Sequence, residues 1–148
     1  MFKNVLVATD FSEAANAAMT CALGLSHQFG STLHVIHVVI DPASVTWSAE
    51  AFAIPVDHII LQWQQQARRE VNKQLPEAVR DRVIVVTPVG SPPAEIVKYA
   101  AREGIDLIVM GTHGRGALDR WLLGSVAERV VRKAPCAVLT VRSAAPEP

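Results

Sequence analysis

The chain has 148 residues, half of them apolar, and its 14 basic and 14 acidic side chains give a formal net charge of zero. That length supports one hydrophobic core and that composition excludes a disordered chain, while the balanced charge excludes the broad basic surface of a general nucleic-acid binder. No stretch approaches the roughly 18 uninterrupted apolar residues of a membrane span, and no cleavage-like segment follows the short apolar N-terminus, so a soluble cytoplasmic protein without membrane contact is expected.

Lys3 to Ala8 is short, apolar and β-branched, and reads as a buried first strand ending at Thr9-Asp10. Ser12 offers an N-cap and Glu13 suits a first helical turn. Ala15, Ala18, Ala22, Leu25 and Phe29 then follow at helical spacing, and Gly30 closes that helix. Leu33 to Ile40 is the second strand. Asp41 to Val56 mixes Pro, Ser, Ala and Trp without a period and reads as a loop able to move. The next helix carries Ile60, Trp63, Ala67, Val71, Leu75 and Ala78 on one face, with Pro76 ending or kinking it. Arg82 to Thr87 is the third strand. Pro92 and Pro93 open another helix, whose apolar face is Ile96, Val97, Ala100 and Ala101 and whose stop is Gly104. Asp106 to Met110 is the fourth strand. A helix starting near Ser125 runs to Lys133, and Ala137 to Val141 is the last strand. Cys21 and Cys136, far apart and without CxxC spacing, point to neither a disulfide framework nor a zinc site and read as small buried hydrophobes.

Strands and helices alternate throughout, and the strands are continuous apolar runs, as when helices cover both faces of a parallel sheet. The expected fold class is therefore α/β: a five-stranded, doubly wound parallel sheet in one domain, residues 1–142, with 143–148 a disordered tail. In such sheets ligands bind beyond the carboxyl ends of the strands, where the strand order reverses.

One strand end stands out. Gly111, Gly114, Gly116 and Gly124 place four glycines within fourteen residues directly after the fourth strand. Glycine is costly in ordered structure unless the backbone turns sharply or something approaches it closely. Ser125-Val126-Ala127-Glu128 has the form of a capping box. A glycine-rich turn feeding a helix N-terminus offers amide N–H groups and a positive dipole end to phosphate, with His113 and Arg115 as further donors. Neither familiar phosphate motif fits: the glycine order is not GxGxxG, and Ala117-Leu118 stand where a P-loop needs Lys and Ser/Thr.

The spacing Gly111-x2-Gly114-x9-Gly124-Ser125 resembles the G-2x-G-9x-G-(S/T) signature of the ATP-binding branch of the universal stress protein family. Asn4 to Ser12 is similar to that family's opening strand and Asp turn, Leu33 to Val38 to its second strand, Val89 to Ile96 to the start of its third helix, and Ala134 to Val141 to its closing strand. The resemblance implies a Rossmann-like, adenine nucleotide alpha hydrolase-like domain that binds ATP with Mg²⁺. It places adenine near Ala8, Thr9, Asp10 and Val38, and ribose beside Asp10 and Gly111. Phosphates would lie along Met110, Gly111, His113, Gly114, Arg115, Gly124, Ser125 and Val126, with the Ser125 hydroxyl available to a metal ion. Ala8 departs from the pattern, since ATP-binding relatives often have proline there. The resemblance also implies a homodimer through Ala137–Val141, consistent with the need to manage an apolar sheet edge.

Blander readings stand beside these. Asp10 could simply cap the first helix, and Gly114 and Gly116 could be loop punctuation. His34 and His37, three apart on a strand, point to opposite faces and cannot share a metal. Arg68-Arg69-Glu70 reads as a solvated helix face, and Trp47, Trp63 and Trp121 as core, rim or interface residues. Functionally, a nucleotide-dependent dimeric switch in stress response leads. A slow Mg-dependent ATPase and a nucleotide-free structural dimer are the alternatives; efficient catalysis is disfavoured because no Walker lysine, metal carboxylate or general base accompanies the glycines.

Overall fold

The structure, a computed structural model, describes residues 1–45, 55–113 and 123–143. Five strands form one wholly parallel sheet: β1 (Asn4–Ala8), β2 (Thr32–Ile36), β3 (Ile84–Val86), β4 (Leu107–Gly111) and β5 (Ala137–Val141). Their order is β3-β2-β1-β4-β5. The chain thus works outward from β1 through β2 to β3, crosses back, and works outward the other way through β4 and β5. The reversal point lies between β1 and β4.

Between the strands run α1 (Glu13–Phe29), a short α2 (Pro42–Val45), α3 (Val56–Gln74), α4 (Pro92–Arg102) and α5 (Ser125–Lys133). Period-two alternation along β1 sends Val5 and Val7 to one face and Leu6 and Ala8 to the other. The first pair packs with Leu33, Val35, Val109 and the inner sides of α1 and α3. The second packs with Ile36, Ile108, Met110 and residues of α4 and α5. Leu6, Ile36 and Ile108 are fully buried, each contributing about 1.5–3 kcal/mol relative to an exposed side chain. Both faces are covered, as the apolar strand runs require.

Local signals were legible where the chain itself supplies the partner. Ser12 caps α1 by accepting the Ala15 N–H at 3.2 Å, and Gly30 ends that helix at φ +65° with its N–H on Ser26 O. Pro92 and Pro93 open α4. Several boundaries differ. The second strand stops at Ile36 rather than Ile40, because Pro88 on the neighbouring strand has no N–H for the next rung; the ladder resumes only as an isolated bridge, Val39 with Val89. The third strand shortens to Ile84–Val86, at its end for the same reason and at its start because a 3-10 turn runs through Arg82. The stretch read as a loop contains α2, while 46–54 and Trp47 lie outside the described residues. Pro76 ends α3, putting Ala78 in a 3-10 turn (Glu77–Arg82) on the surface instead of on the helix face. Trp63, assigned to that face, is 44% exposed. Cys21 and Cys136 are half-buried free thiols rather than fully buried ones; burial pushes the Cys136 thiol above its ordinary value. The edge strands β3 and β5 are only partly covered, so a continuous apolar run did not mean burial on both faces there.

Candidate functional site

The reversal point brings the carboxyl ends of β1 and β4 side by side, with Ala8 directly opposite Met110. Ala8, Val38 and Met110, each no more than 8% exposed, belong to one packed cluster, and Val126 of α5 lies against it. Four residues far apart in sequence thus meet in one apolar cluster.

The β1 exit is a tight turn built from its own polar groups. Thr9 is buried: its N–H donates to Ile36 O at 3.0 Å, its C=O accepts from His37 Nδ1 at 2.9 Å, and its Oγ1 accepts the Phe11 N–H at 3.1 Å. Asp10 Oδ1 accepts the Ser12 N–H at 3.0 Å. Phe11 adopts φ +65° and stacks on the His37 ring at 4.7 Å between centroids. A left-handed aromatic residue costs roughly 1–2 kcal/mol and persists only where its surroundings hold it. Here the stack and the two side-chain-to-backbone bonds do so. Because Thr9 O is an acceptor, the proton of this His37 bond sits on Nδ1. Asp10 thus makes a turn contact to the backbone of Ser12, whose own hydroxyl caps α1.

The β4 exit answers part of the glycine question. A Cβ on Gly111 would meet the Ala14 carbonyl carbon and Cβ at 2.8 Å and the Ala15 N at 3.0 Å. What approaches the backbone at Gly111 is α1, so this glycine is explained by packing alone. Beyond it, buried Thr112 ties the exit together: its N–H donates to Val141 O at 2.9 Å, its C=O accepts the Gly124 N–H at 2.7 Å, and its Oγ1 lies 2.9 Å from His113 Nδ1. The Gly124 N–H was expected to face phosphate; it is engaged with Thr112. Nothing in the sequence marked Thr112 for this role, since its partners come from β5 and α5.

Gly124, at φ −61° and ψ 155°, is the N-cap of α5 without any side-chain cap bond. The capping box expected at Ser125 is not formed: Ser125 is already the first helical residue, and the Glu128 carboxylate pairs with Arg132 at 3.0 Å. The shift leaves the first-turn amides of Ser125, Val126 and Ala127 without intrahelical acceptors. Ser125 is exposed, and His113 Nε2, at the β4 exit, is buried without a hydrogen-bond partner among the described residues. Gly114 and Arg115, with Gly116 and Trp121, lie outside the described residues. Among the described residues no cluster of three His, Cys, Asp or Glu could hold a metal, so a divalent ion here would take its ligands chiefly from a bound phosphate and the Ser125 hydroxyl.

His34 and His37 do face opposite sides. His34 is buried against α4, its Nδ1 2.8 Å from the Tyr99 hydroxyl, and burial lowers its pKa more than the Glu103 charge raises it. Among the described residues no helix is long and apolar enough to cross a membrane.

Strand order, parallel pairing and the reversal between β1 and β4 define the class, an open, doubly wound parallel α/β domain. The chain belongs to the universal stress protein family, whose family model matches residues 1–142. It is 34% identical to universal stress protein MJ0531 of Methanocaldococcus jannaschii over 96% of this chain and 83% of that protein. The solved structure of MJ0577 from the same organism superposes with a TM-score of 0.82 at 31% identity, covering 99% of each chain. A more distant family structure, from Archaeoglobus fulgidus in complex with dAMP, shares the fold at a TM-score of 0.59 and 22% identity, covering 95% of this chain and 98% of that one.

Proposed function

We propose that this protein binds ATP, with Mg²⁺, in the mouth between β1 and β4, and works as a nucleotide-dependent dimeric switch of the cytoplasmic stress response. The observation that carries the reading is at the mouth: the first turn of α5 has no side-chain cap, and the buried His113 Nε2 has no hydrogen-bond partner among the described residues. Unsatisfied groups of this kind call for a ligand, and amides at a positive helix end suit phosphate. The wall of Ala8, Val38, Met110 and Val126 suits a flat apolar base, Asp10 a ribose hydroxyl or adenine amino group. Gly114 and Arg115 complete the phosphate side by the spacing of the glycines. The dAMP complex of the A. fulgidus relative supports the same class of ligand.

Contacts from backbone amides, Ser125 and His113 hold a polyphosphate in its ground state and give affinity without rate. ATP is retained, and its arrival protects the 41–56 segment from protease, changing the surface shown to partners. Dimerisation uses β5, an edge strand with Leu139 38% exposed.

Calorimetry with Mg-ATP tests the assignment. Wild-type protein binds ATP; Gly114→Val, adding a side chain at one of the spaced glycines, and Ser125→Ala each weaken binding about tenfold or more, the equivalent of ~1.4 kcal/mol. Equal affinity in all three proteins overturns the site. Turnover in the ordinary enzymatic range of ~1–10³ per second would overturn the switch in favour of an ATPase.

A further inference from the structure

A second cleft lies at the opposite side of the sheet, where α3 and α4 overhang the outer edge of β3. Its volume is about 420 Å³, within the range of roughly 300–1,000 Å³ for small-molecule sites. Val86 pairs inward, its C=O accepting from His37 N–H, so the polar groups of Val85 and Thr87 face outward. Two α3 side chains cap the outward carbonyls: Arg68 Nη1 donates to Val85 O at 3.0 Å and Gln64 Nε2 to Thr87 O at 2.6 Å. Arg68 is therefore more than the solvated charge its sequence suggests. The N–H of Thr87, a residue only 4% exposed, has no acceptor among the described residues.

The charges lining this cleft are unbalanced. Arg68, Lys98 and Arg102 stand against one lining carboxylate, Glu95. Glu95 is 3.9 Å from Lys98, a loose pair, and Arg102 gives only its Nε to Glu103, at 2.7 Å. Even with Glu103 counted, positive charge exceeds negative. The Arg102 guanidinium lies 5.2 Å over the Tyr99 ring, and Tyr99 is anchored below by His34. Val86, Pro88, Leu61 and the Tyr99 ring supply the apolar part of the lining, beside the polar Gln64, Gln65 and Thr87.

We propose that this cleft binds a small organic anion, a phosphate or carboxylate group carried on a flat apolar body. The anionic oxygens meet Arg68, Lys98, Arg102 and the Thr87 N–H, and the body lies on Tyr99 and Pro88. The site is separate from the mouth between β1 and β4 and does not depend on ATP binding there.

Two-dimensional amide NMR on the full-length chain tests this, with phenyl phosphate, benzoate and uncharged benzyl alcohol as probes. Phenyl phosphate or benzoate moves the Thr87, Tyr99 and Arg102 amide signals saturably below about 10 mM; the tighter of the two identifies the head group. Lys98→Glu weakens that binding about tenfold, and with a side chain 69% exposed it leaves the fold intact. The proposal is overturned by any of three results: no saturable shift with either anion, equal shifts with benzyl alcohol, or shifts confined to Ser125–Ala127.

Discussion

Replacing Gly111 by alanine isolates the close approach of α1 to β4. The added methyl would sit 2.8 Å from the carbonyl carbon and Cβ of Ala14 and 3.0 Å from the Ala15 N. Carbon atoms prefer about 3.5–4.0 Å, so the surfaces must part by roughly 0.7–1.2 Å. Two of the three obstructing atoms are backbone, and no rotamer change removes them. Helix α1 must move as a body, loosening Ala14, Ala15, Ala18, Met19 and Ala22, which are all buried. Overpacking of this kind costs about 1–3 kcal/mol. With a urea slope of ~1–3 kcal/mol/M, the unfolding midpoint falls by about 1 M. The same helix supplies its own control. A Cβ on Gly24 meets nothing within 4 Å, so Gly24→Ala stabilises by about 0.5–1 kcal/mol through helix propensity. Urea titrations followed by circular dichroism compare the three proteins. If Gly111→Ala unfolds within about 0.5 kcal/mol of wild type, the packing explanation of Gly111 is wrong and a ligand must be sought there too.

Acid stability should carry the signature of His34. Its folded pKa lies below the unfolded value near 6.5, so the unfolded chain binds the extra proton and stability falls as pH drops below about 6.5. Asp106, held low by the Asn4 and Lys3 amides, acts only below its ordinary value of 3.8, a range distinct from that of His34. His34→Gln flattens the fall of the stability curve just below about pH 6.5; an unchanged slope in thermal melts would assign it elsewhere. Ser12→Ala removes the α1 cap and costs about 1 kcal/mol, measured by the same urea titration; no loss means the Ala15 amide finds water at no penalty. Val141 O faces β4 by accepting the Thr112 N–H, so the Thr140 N–H faces outward. Thr140→Pro, tolerable on an edge, converts a β5-paired dimer to a monomer in light scattering while the far-ultraviolet spectrum is kept. A dimer that survives the substitution refutes pairing through this strand.

Periodicity and caps were enough to reveal the alternating elements and the apolar character of β1, β2 and β4, because each depends on neighbours a few residues away. The sequence also placed His34 and His37 on opposite faces by parity alone. Other features came only from contacts made across the fold. Pro88 shortens β2 from a neighbouring strand, Gly111 is small because α1 leans on it, and Gly124 turns its N–H to Thr112 and takes the N-cap position, so the capping box expected at Ser125 does not form. Trp63 sits at helical spacing with core residues yet faces solvent, since which side of a helix is covered depends on the sheet beneath it. The charged cleft at β3 joins side chains from α3 and α4 around a strand edge. Sequence spacing reports what a residue can do within its own element; which groups meet, and which are left without partners, follows from strand order and helix docking.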